Sequence, residues 1–164
     1  NMQTHESCER GRAMNPNFTT CGALPGWLFK RIGAPQLADY GLSSVMKNAL
    51  KYNCWVKNTN INRTLYASVN GGDLRPKPGN VYILGSSNED NPAILHIGVI
   101  INPTGERWWT ADAGQGVKEK QEALYVPRVY NPAGHKLDGE NYGVGTGRPP
   151  RTLIGWVDVD RAIS

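Results

Sequence analysis

The chain has 164 residues, with 18 Lys+Arg against 14 Asp+Glu for a formal net charge of +4, and 39% hydrophobic residues. That length fits one domain over residues 1–164, and no apolar run nears the roughly 20 residues of a membrane-spanning helix. Nineteen Gly and 11 Pro without a G-x-y period exclude collagen and point to a turn-rich domain.

Residues 1–18 read as a polar lead-in. The first residue is Asn1, and no apolar signal core follows, so a processed product or a segment of a longer protein is expected. Thr19 or Thr20 can cap a helix that carries Leu24, Trp27/Leu28 and Ile32 at helical spacing, with Gly33 as its stop and Pro25 bending its start. Trp27 reads as a core residue, with a substrate platform as the alternative. A second helix is expected around Leu37–Tyr52, with Leu42, Val45, Met46, Ala49 and Leu50 on one apolar face. Asn58–Asn62 reads as a loop.

Arg75–Asn80 is a Pro/Gly turn, and Val81–Leu84 a short strand. Ile94–Ile101 is almost wholly apolar, as a strand buried on both faces should be. Asn102–Gly105 reads as a hairpin turn, and Arg107–Asp112 as the return strand, with Trp108 and Trp109 on opposite faces. Ala123–Tyr130 is a further strand, Gly134–Pro150 a long Gly-rich loop, and Arg151–Val159 a closing strand. Helices first and antiparallel strands after give the α+β class.

The cysteines are Cys8, Cys21 and Cys54. An odd count argues against a closed disulfide framework, and the lack of a C-x-x-C pair argues against a zinc ribbon. Cys21 stands at the expected start of the first helix, where the macrodipole favours a thiolate. It reads as a nucleophile or as a small buried apolar residue. Cys54, beside Trp55, is expected to be partly buried at a helix end.

His96 is the one histidine inside an expected core strand; His5 and His135 lie in polar or Gly-rich stretches. It is a base or a hydrogen-bonded structural residue. With the turn centred on Pro103-Thr104, positions 95–96 face 111–112, which puts Asp112 beside His96. Asp112 can orient the imidazole, and it can also start a turn toward Gly116.

Thr20-Cys21-Gly22, Lys77-Pro78-Gly79-Asn80-Val81, His96-Ile97-Gly98-Val99-Ile100 and Ala111-Asp112-Ala113-Gly114 follow one another in an order that resembles papain-like peptidoglycan hydrolases, the NlpC/P60 and CHAP amidases. The resemblance spans roughly residues 19–113 plus the closing strand. Asn80 replaces the usual Asp, and Trp27 and Phe29 are displaced aromatics. It implies a papain-like fold with N-terminal helices packed on an antiparallel sheet. It implies a cysteine amidase or endopeptidase with Cys21 as nucleophile, His96 as base and Asp112 as orienter. The Cys21 backbone N–H, with Asn15 as a side-chain candidate, would hold the oxyanion.

Expected substrates are peptidoglycan peptides, to whose anionic polymer a basic protein is suited, or else a cytosolic protein attacked by a protease or deamidase toxin. A secreted or delivered effector with a cognate immunity protein fits this reading. A non-catalytic binding module is a separate alternative. No cofactor is expected, no motif signals specific nucleic-acid binding, and a metal site of Cys21, His96 and Asp112 would lack a close-spaced ligand pair.

Overall fold

The computed structural model describes residues 20–39, 41–58, 76–86, 93–104, 107–115, 122–131, 136–139 and 152–164. Helix α1 runs Thr20–Arg31 and continues through Pro25, which has no N–H for the Cys21 carbonyl. It ends as expected: Gly33 takes φ 84°, and the Ala34 N–H bonds the Phe29 carbonyl at 2.9 Å, a left-handed stop that Gly adopts without strain.

The second helix is shorter than its apolar pattern suggests. A 3-10 turn at Pro35–Leu37 precedes it, and α2 covers Leu42–Lys51. Asp39 Oδ1 accepts from the Gly41 N–H at 2.8 Å, a local turn that interrupts helix between them. Val45 and Ala49 are fully buried, but Leu50 points to solvent. Trp27 is only half-buried, with the Arg31 guanidinium 5.7 Å over its ring, so it is not core.

Among the described residues seven strands follow: β1 Trp55–Lys57, β2 Val81–Gly85, β3 Ile94–Thr104, β4 Arg107–Gln115, β5 Glu122–Asn131, β6 Lys136–Gly139 and β7 Thr152–Val157. A short helix α3, Val159–Ile163, ends the chain and is capped by Asp158. The sheet order is β1-β7-β2-β3-β4-β5-β6, and every pairing is antiparallel. The Lys136–Thr152 pair joins β6 back to β7, so six strands close a ring. β1 and β6 share the edge of β7 that β2 leaves open. The molecule is α+β, with helices against an antiparallel sheet, as the element order implies.

Several sequence-based boundaries are corrected here. Asn102–Thr104 belongs to β3, so the hairpin turns one to two residues later than expected. β4 runs on to Gln115, so Asp112 lies mid-strand opposite Leu124 and does not start a turn. The stretch 134–150 contains β6, and its other residues lie outside the description. β1 and α3 were not expected, and the closing strand stops at Val157.

Strand alternation divides the core in two. One cluster joins Val81, Ile83, Ile97, Val99, Ile154 and Val157 to Phe29, Leu37, Val45 and Ala49 from the helical layer. The other, on the ring side, joins Tyr82, Leu84, Ile100, Trp108, Leu153 and Trp156 from ring strands to Val56 from β1. β2 and residues 96–100 of β3 are buried on both sides, whereas Ile101 and Asn102 are exposed at a bulge. Among the described residues no helix is long and apolar enough to cross a membrane.

Candidate active site

His96 lies at the mouth of β3. Pairing shifts from Gly85–Ile94 to Leu84–His96, so the chain bulges at Leu95 and sets the facing of everything after it. His96 and Ile100 then turn into the ring with Leu84 and Tyr82, while Ile97 and Val99 face the helices. The His96 and Tyr82 rings lie 6.1 Å apart, centroid to centroid, tilted by 57°.

Asp112 reaches the same place from β4. The register Val99–Ala111 and Ile100–Thr110, carried one pair further, sets Asp112 opposite Gly98 rather than His96. The carboxylate therefore crosses diagonally to His96. Gly98 makes this possible: a Cβ there would overlap Asp112 Oδ1 and sit 2.7 Å from Tyr82 Cε1. The expected partnership holds, through a neighbouring register position.

Asp112 is wholly buried and accepts from three donors. His96 Nε2 lies 2.5 Å from Oδ1, Tyr82 donates its hydroxyl to the same oxygen, and Thr110 Oγ1 donates to Oδ2 at 2.5 Å. Three convergent donors favour the ionised carboxylate in a site with little water. An ionised carboxylate only accepts, so it selects the tautomer with hydrogen on Nε2. His96 is itself 1% exposed.

Tyr82 and Thr110 were not singled out from the sequence. Both carried a signal: Tyr82 is the one polar side chain in the β2 apolar run, and Thr110 precedes Asp112 by two, which puts both on one strand face.

Cys21 is a partly buried thiol in the first turn of α1, which packs across β3 and β4; its side chain packs against the helix-side cluster, whereas His96 and Asp112 turn into the ring from the same two strands. No acidic residue occupies that turn to oppose an anion. Cys54 differs. It is fully rather than partly buried, its Sγ lies 3.5 Å from the Ala49 carbonyl, and burial pushes its thiol up from the ordinary value of 9.0. Asn80 has a clear local role, since its buried Oδ1 accepts from the Lys77 N–H at 2.9 Å and pins the turn before β2. Asn15, Cys8, His5 and His135 lie outside the described residues.

Among the described residues no group of three or more His, Cys, Asp or Glu is arranged to hold a metal ion. No family model, curated protein or solved structure matches this chain.

Proposed function

We propose that this protein is a cysteine hydrolase of amide bonds, with Cys21 as nucleophile, His96 as base and Asp112 as the residue that orients the base. The observation that carries the reading is the buried His96–Asp112 pair, bonded through Nε2 and held by two further hydroxyls. A structural histidine needs one partner; a fully seated carboxylate behind it is what a base needs to stay in one tautomer and to carry charge. With Nε2 committed to Asp112, Nδ1 is the atom that exchanges protons with the thiol.

In this mechanism His96 Nδ1 takes the proton of Cys21, and the thiolate attacks the amide carbon. Charge builds on the carbonyl oxygen, and backbone N–H groups at the start of α1, that of Cys21 included, are suited to receive it. The C–N bond breaks as the imidazolium returns its proton to the leaving amine. Water then gives a proton to Nδ1 and attacks the thioester, and the carboxylic acid leaves with the thiol restored.

The substrate we favour is the peptide of bacterial peptidoglycan, on the residue pattern 19–113 and on the +4 charge, which suits an anionic wall polymer. Release outside the producing cell, with an immunity protein to guard it, belongs to the same proposal. Incubation with purified peptidoglycan and, separately, with cell lysate tests it. New amine termini in the wall digest, absent with Cys21→Ala, support the reading. Cleavage or deamidation of lysate proteins alone moves the substrate to protein, and no Cys21-dependent product in either overturns the hydrolase.

A further inference from the structure

We infer that Tyr82 and Thr110 are positioning residues that act on His96 through Asp112, a hydroxyl clamp that sets how tightly the His96–Asp112 pair holds its proton. This rests on the proposed role of His96 as base. The clamp is drawn from three strands: Tyr82 from β2, His96 from β3, and Asp112 with Thr110 from β4. Both carboxylate oxygens are engaged, Oδ1 by Tyr82 and His96 and Oδ2 by Thr110. A carboxylate held at both oxygens cannot rotate, so the imidazole hydrogen bonded to it keeps one direction.

The hydroxyls are what a packing role would not require. Tyr82 is fully buried in the ring cluster with Leu84, Ile100 and Trp108, where Phe would fill the same volume. Its oxygen nevertheless reaches the carboxylate, over a glycine that leaves room for it. Thr110 is also fully buried and offers its oxygen to the same group.

The direction of the effect follows from charge. Each donor stabilises the pair most when the pair is most negative, that is, with Asp112 ionised and His96 neutral. Removing a donor therefore makes the pair bind a proton more readily. Among the described residues the titratable groups in the cluster are His96, Asp112 and Tyr82, facing one another from three adjacent strands.

The test is a titration of the His96 ring nitrogens by nitrogen-15 NMR on the full chain, with the His96 signals assigned by their loss in His96→Gln. Tyr82→Phe should raise the apparent pKa of the pair by about one pH unit, a tenfold change in proton affinity. Thr110→Val should move it the same way, Thr110→Ser should restore it, and the pH profile of kcat/KM should shift in parallel. Should Tyr82→Phe fail to fold, the Thr110→Val and Thr110→Ser pair decides alone. A titration unchanged in the folded variants overturns the clamp. A shifted titration in a protein whose Cys21→Ala form stays active upholds the clamp and overturns the hydrolase, so the two failures are distinct.

Discussion

Ile97 and Val99 on β3 point into the layer of helices; His96, Gly98 and Ile100, alternating with them, point into the ring. The first face is filled mainly by aliphatic and aromatic side chains, with the Cys21 and Cys54 thiols packed among them, and at Ile97 and Val99 what it asks of a residue is volume. The second places an imidazole, a carboxylate, a phenol and a hydroxyl among Trp108, Leu84 and Ile100, and there each polar atom needs a partner with correct geometry. One strand thus serves two masters at a spacing of one residue. Substitutions of Ile97 and Val99 should weaken the fold and spare the chemistry, while substitutions of the ring-side residues of β3 should do the reverse or both; Cys21, which packs against the helix-side cluster, is the exception on that side.

The sharpest contrast is in turnover. His96→Ala and Cys21→Ala should each leave no measurable amide hydrolysis, because the nucleophile is either absent or not activated. Asp112→Ala should lower kcat by about 10⁴-fold while leaving a trace, as loss of the orienting carboxylate does in serine hydrolases. Circular dichroism must accompany that variant, because it strands three buried donors. Wild-type turnover in folded Asp112→Ala would remove Asp112 from the mechanism and put the orienting position elsewhere.

Ile97→Ala, one residue from His96, should destabilise by about 2–5 kcal/mol in urea unfolding, with kcat of the folded fraction close to wild type. A large loss of kcat there would erase the distinction between the faces. Gly98→Ala bridges the two: its added Cβ meets Asp112 and Tyr82, so about 1–3 kcal/mol of stability and most activity should go together.

The sequence made the layout of strands legible because buried strands advertise themselves as apolar runs between Pro/Gly turns, and Ile94–Ile101 is such a run. It also made His96 and Asp112 legible as partners, since both are ionisable groups inside those runs. The register was off because Pro103 and Thr104 look like turn residues, yet both are paired in β3. Pro103 sits where the strand nears its end, where tertiary pairing outweighs local turn preference. Leu37–Ala38 resembled helix because spacing cannot register the Asp39 side chain competing for the Gly41 N–H. β1 and α3 escaped because three and five residues are too few to show a period. Tyr82 escaped because a phenol in an apolar run reads as one more core ring.

The two described thiols carry the same comparison to its smallest effect. Cys21 opens a helix; Cys54 closes the gap between α2 and β1, fully buried. Iodoacetamide at neutral pH should therefore modify Cys21 well before Cys54, and prior labelling of Cys54 would contradict the assignment. Cys54 should show itself instead in stability at high pH. Burial first of all, offset in part by a backbone hydrogen bond, raises its folded pKa above 9.0. Below pH 9.0 the thiol is protonated in both states, and its contribution to stability is fully present. Above that, the unfolded chain loses the proton while the folded chain keeps it, so unfolding is favoured and stability falls until the folded pKa is passed. Between the two values the slope is about 1.4 kcal/mol per pH unit for one group. Lysines and tyrosines titrate in the same range, so the quantity to read is the difference between Cys54→Ala and its parent, both in a Cys21→Ala background. The variant should start lower, having lost a buried sulfur, and then lose less stability than its parent between pH 8 and pH 10. Parallel curves would mean that Cys54 ionises as easily folded as unfolded, and that its burial does not govern its chemistry.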